Sequence, residues 1–69
     1  MLANMELNKR KIELEMERLD WNQSELARRM GVQRQAVNRY LGDNQVGISL
    51  KMIARFADAL GIPAKDLIK

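Results

Sequence analysis

The sequence predicts an all-α fold, a compact bundle of five short helices. Three observations lead there. Apolar residues recur at intervals of three and four in segment after segment. Ala, Leu, Met, Glu, Lys, Arg and Gln dominate, all good helix formers, and no run of β-branched residues alternates as a strand would. Capping residues and glycines fall at the ends of the apolar-periodic segments. The chain of 69 residues is read as one domain, 1–69, with one small core and residues 1–4 as a flexible tail.

The first helix is predicted over about Met5–Leu19. Met5, Ile12, Met16 and Leu19 form one stripe, spaced seven, four and three apart. Asn4 is its expected N-cap, with Glu6 in the favourable first turn. Leu7 and Leu14 fall on the opposite face, seven apart. They are either leucines at a helix flank or a seam facing a partner. The second helix opens at Asn22, whose partner three residues on is Glu25, a capping-box-like pair. Trp21 precedes the cap and is placed to pack on Leu26 as a hydrophobic staple. Leu26, Ala27 and Met30 face inward. Gly31 ends the helix, where a left-handed residue is needed.

The third helix is predicted over Arg34–Leu41. Val32, Val37 and Tyr40 form its inner side, and Arg34, Gln35, Asn38 and Arg39 its outer side. Gly42 terminates it, and residues 43–47 form a loop. The fourth helix starts at the N-cap Ser49, with Ile48 and Ile53 placed as a staple. Leu50, Ile53, Ala57 and Leu60 make its core stripe, with Phe56 beside it and Gly61 as C-cap. Pro63 sets the start of a short fifth helix, from which Leu67 and Ile68 fold back on the core.

Composition excludes several functions. There is no Cys, hence no disulfide, zinc thiolate or thiol nucleophile. There is no His, the commonest general base and metal ligand. Glu13, Glu15, Glu17 and Asp20 read as scattered carboxylates on a mixed-charge helix, without the pocket, nucleophile and electrophile that catalysis needs. No enzymatic activity, cofactor or metal is expected. No apolar run approaches the length of a membrane span, and the N-terminus lacks a signal-peptide pattern, which favours the cytoplasm.

The net charge is +3 and is unevenly placed. Basic and acidic residues cancel over residues 1–30, so the excess lies in 31–69. Between Trp21 and Gly42, Arg28, Arg29, Arg34 and Arg39 stand against Glu25 alone. A cationic patch on one motif suggests a polyanionic partner. Arg28 and Arg29 are either a solvated face or phosphate contacts. Lys9, Arg10 and Lys11 are read as solvated rather than DNA-facing.

Residues 22–42 therefore carry the layout of a helix-turn-helix. Two helices cross at the small Ala27 and turn at Gly31. The second is anchored on one side only, and its free side carries groups that reach base edges. Arginine suits guanine and glutamine suits adenine, each by two hydrogen bonds. Arg34, Gln35 and Arg39 fit this role, with Gln33 at the helix entrance and Asn38 on the flank.

Leu26-Ala27, Met30-Gly31-Val32 and Val37 through Tyr40 resemble the phage repressor/Cro-like helix-turn-helix family. Ile48-Ser49, then Leu50, Ile53 and Phe56 to Ile62, are similar to that family's fourth helix and its exit. The likeness covers roughly residues 12–68. It implies a lambda-repressor-like DNA-binding domain. It implies that Gln23 touches phosphate, and that Gln33, Arg34, Gln35 and Arg39 read bases. It implies a weak homodimer on double-stranded DNA with a near-palindromic operator, with contact near Ile62, Pro63 and Ala64. Gln33 stands where the family usually has Ser or Thr as a cap, and Leu41-Gly42-Asp43 replaces the usual Glu-Asn-Gly. A transcriptional regulator, bacterial or phage and repressor-like, is the expected function. The alternatives are an antitoxin that meets a toxin through Leu7 and Leu14, or another protein-interaction module on this fold.

Overall fold

The computed structural model describes residues 6–42 and 47–68. Four α-helices follow in order: α1 (Lys9–Leu19), α2 (Gln23–Met30), α3 (Arg34–Leu41) and α4 (Leu50–Leu60). A single 3-10 turn, Ala64–Leu67, closes the chain. No strand forms among the described residues. The bundle is all-α, as the periodicity predicts, but the expected fifth helix is only this one turn. The expected tail 1–4, the cap Asn4, the stripe residue Met5 and loop residues 43–46 lie outside the described residues.

Three of the four helix starts are capped by a side chain. The Asn22 Oδ1 accepts from the Glu25 backbone N–H at 2.8 Å, and the Ser49 hydroxyl accepts from Met52 N–H at 3.1 Å. These side chains satisfy donors that the first turn leaves without intrahelical partners. Gln33, by contrast, caps α3 with no side-chain hydrogen bond. The reciprocal half of the expected capping box is replaced, because the Glu25 carboxylate is taken by two arginines.

The start of α1 differs from the sequence reading by four residues. Asn8 is the N-cap, its Oδ1 accepting from Lys11 N–H at 3.2 Å. Before it the chain is held against the C-terminal segment. Leu7 pairs with Ile68 in an antiparallel bridge, and Asn8 N–H donates to the Leu67 carbonyl at 2.7 Å. Leu7 is therefore buried in the core and lies outside any helix. It shares no helical face with Leu14, which is exposed. The two leucines do not form a partner-facing seam.

The core joins Ile12 and Met16 of α1, Leu26, Ala27 and Met30 of α2, Val37 of α3, and Ile53, Phe56, Ala57 and Leu60 of α4. Leu67 seals its end and is fully buried. Leu50 departs from the expected stripe, since it is 62% exposed. Ile48, just before the cap, is buried instead. Glu15 is the buried charge, held between Lys11 (3.1 Å) and Arg18 (2.6 Å) on its own helix. Hydrogen bonds from Arg18, then Lys11, keep its carboxyl below the usual glutamate range.

Candidate nucleic-acid interface

The joint between α2 and α3 is built from backbone geometry. Gly31 is left-handed, φ 73°. Its N–H reaches the Arg28 carbonyl at 3.2 Å, and the next N–H, of Val32, reaches back to Ala27 at 3.0 Å. This double closure ends the helix while satisfying its last carbonyls. It also fixes the direction in which the chain leaves toward α3. Ala27, whose carbonyl takes the Val32 N–H, is buried in the core, so a larger side chain there would overpack it. A third carbonyl, of Met30, accepts from Arg55 Nη1 on α4.

Helix α3 is locked on one side. Val37 is fully buried, and Tyr40 packs edge-on against Phe56, ring centroids 6.1 Å apart and planes at 88°. Such an arrangement matches the ring quadrupoles. At its C-terminal end the Gly42 carbonyl accepts from Lys9 Nζ on α1. Lys9 is thus a tether between α1 and the end of α3, correcting its reading as a solvated charge. Gly42 itself is extended, but a Cβ there would lie 3.1 Å from the Asn38 carbonyl oxygen.

The rest of α3 is open. Gln33, Arg34, Gln35, Asn38 and Arg39 are all exposed, in contrast to the buried Val37 and the half-buried Tyr40. Neither Arg34 nor Arg39 has an ion-pair partner among the described residues. Their guanidinium groups are available to an anion or a base edge.

The supporting helix is different. Gln23 is half-buried at the start of α2. Arg28 and Arg29 are exposed, but both are bound to Glu25, at 2.5 Å and 2.6 Å. Hydrogen bonds from Arg29, then Arg28, keep the Glu25 carboxyl below the usual glutamate range. The Arg29 guanidinium also lies over the Trp21 ring, 4.8 Å from its centroid. The spacing of Glu25, Arg28 and Arg29 makes these pairs legible in the sequence; the Trp21 stack has no such signal.

The remaining surfaces are less developed. Glu13, Glu17 and Asp20 are not merely scattered, since they line an open groove with Met16 and Trp21. No described His, Cys, Asp or Glu cluster has the layout to hold a metal ion. No described helix is long and apolar enough to cross a membrane. Ile62 and Ala64 pack partly on the core, leaving Pro63 as the exposed member of the expected dimer patch.

The sequence profile of the family described as helix-turn-helix matches residues 12–67. The chain belongs to the phage repressor/Cro-like helix-turn-helix family. The match runs from the first turn of α1 to the end of the 3-10 turn, so it takes in the whole α2–turn–α3 unit and its support. As a member of the phage repressor/Cro-like family the chain carries a DNA-binding helix-turn-helix. No curated protein and no solved structure matches it.

Proposed function

We propose that this chain is a sequence-specific binder of double-stranded DNA, a repressor-like transcriptional regulator of bacterial or phage type acting in the cytoplasm. The reading is supported above all by α3, a helix rigidly anchored on one face that presents five hydrogen-bonding side chains on the other. Helix α3 enters the major groove. Arg34, Gln35 and Arg39 read base edges, with Gln33 at the entrance and Asn38 on the flank. Gln23, Arg28 and Arg29 on α2 meet the phosphate backbone and set the register of α3.

One recognition helix spans too few base pairs to be selective. Two copies therefore bind half-sites about one helical turn apart, roughly 34 Å, on a near-palindromic operator. The copies meet near Ile62, Pro63 and Ala64. That patch is small against the ~1,200 Å² that stable interfaces bury, so the free dimer is weak. A protein partner such as a toxin has less in its favour, because Leu7 is buried and cannot join Leu14 in a seam.

The test is selection of bound sequences from a random duplex pool, followed by titration of the winners. A near-palindromic consensus with half-sites about ten base pairs apart supports the proposal. Recovery of unenriched sequence at every position refutes sequence-specific readout.

A further inference from the structure

Trp21, Glu25, Arg28 and Arg29 form one cluster that runs from before the N-cap of α2 to its last turn. One carboxylate oxygen, Glu25 Oε2, accepts from Arg28 Nη2 at 2.5 Å and from Arg29 Nε at 2.6 Å. Arg28 adds a longer bond from Nε to Oε1, 3.4 Å. The side-on edge of Arg28, Nε with Nη2, one of the two that can meet a phosphate by parallel bonds, is thus already filled. Arg29 is held twice, by Glu25 and by the face of Trp21. Among the described residues, Arg34 and Arg39 on α3 have no such ion pair.

We propose that Glu25 is a positioning residue that restrains sequence-independent DNA affinity, by keeping Arg28 and Arg29 off the phosphate backbone in the free protein. The inference rests on the DNA reading above and deepens it. Sequence-independent binding consists of phosphate contacts with counterion release. A carboxylate that occupies two backbone-facing arginines weakens that term selectively. It leaves the base-reading face of α3 untouched. The restraint is reversible, because the ion pairs are exposed: the Arg28 and Arg29 side chains are 70% and 49% accessible, that of Glu25 30%. Pairs this exposed are weak and screened by salt, so a phosphate can displace them. On the operator, contacts from α3 offset the displacement; on random DNA nothing does.

The test is the salt dependence of binding to a random-sequence duplex between 50 and 200 mM salt. The chains compared are the parent, Glu25→Gln, Arg28→Ala with Arg29→Ala, and all three changes together. Glu25→Gln keeps the Asn22 cap, which uses the backbone N–H of residue 25. It should bind random duplex more tightly at 50 mM, and its affinity should fall about threefold to fourfold further over this range, the effect of one added phosphate contact. The gain should vanish when both arginines are absent. Parallel salt lines for Glu25→Gln and the parent would overturn the inference. So would an equal gain without the arginines, which would make Glu25 a general negative charge. If the parent binds no duplex at all, the DNA reading itself fails and this inference with it.

Discussion

Arg55 of α4 donates from Nη1 to the carbonyl oxygen of Met30, the last residue of α2, at 3.1 Å. The bond ties the scaffold helix to the hinge side of the α2–α3 turn. It satisfies a carbonyl that the end of α2 leaves without an intrahelical donor. Arg55→Ala should lower stability by about 1 kcal/mol, since the bond is charge-assisted but part-exposed. For a chain this short that corresponds to about 4–8 °C in Tm, read by thermal melting. An unchanged melt would mean that water replaces the guanidinium without loss.

Asp20 ends α1 in the left-handed region, φ 59°. Its N–H reaches the Glu17 carbonyl and the next N–H, of Trp21, reaches Met16, the closure that glycine makes without strain elsewhere in the chain. The carboxylate also faces the negative end of the helix dipole. Asp20→Gly should therefore stabilise, by about 0.5–1 kcal/mol. Thermal melting should show a rise of about 2–8 °C. A fall would show that the unfolded-state entropy of glycine outweighs the relieved strain.

Acid should weaken the fold through Glu15 and Glu25. Both are held charged in the folded chain below their ordinary value of 4.5 by arginine and lysine hydrogen bonds. Folded pKa values below unfolded ones mean that the unfolded chain takes up protons first. The stabilisation is complete above pH 4.5 and is lost as pH falls from there through the lowered folded values. Urea midpoints should drop from pH 6 toward pH 3, and the drop should be smaller in a chain carrying Glu15→Gln and Glu25→Gln. The same slope in both chains would assign the acid sensitivity to other carboxylates.

Pro63 is the exposed member of the proposed two-fold patch. Pro63→Glu should keep its melting temperature and lose cooperative binding to paired half-sites. Leu14→Asp, on the outer face of α1, should keep both. The reverse pattern in a gel-shift titration would move the contact between copies to α1.

Most of the fold was legible because its elements end on local chemistry. Asn22, Gly31, Ser49 and Gly61 act within one turn of where they sit, so their type and spacing suffice. What was not legible depends on distant residues. Leu7 looks helical by spacing, yet pairing with Ile68 offers its backbone a better partner, and α1 starts later at Asn8. Leu50 keeps the helical spacing but sits in the first turn, where Ile48 fills the core instead. The fifth helix shrank to one turn because only four residues lie between Pro63 and Ile68. On the candidate site, the exposed face of α3 follows from period alone. The Trp21–Arg29 stack and the Lys9–Gly42 tether join different elements, and no sequence period announces them.

Base reading by α3 is tested at Arg34. It is exposed, unpaired among the described residues, and lies in the first turn of a helix fixed by Val37 and Tyr40. The measurement is the affinity of Arg34→Ala, against the parent, for a selected operator and for random duplex under the same salt. The expected loss is about 1–3 kcal/mol on the operator, with relaxed preference at one base position. On random duplex the loss should be smaller. Equal losses on both would make Arg34 a phosphate contact and contradict readout by α3.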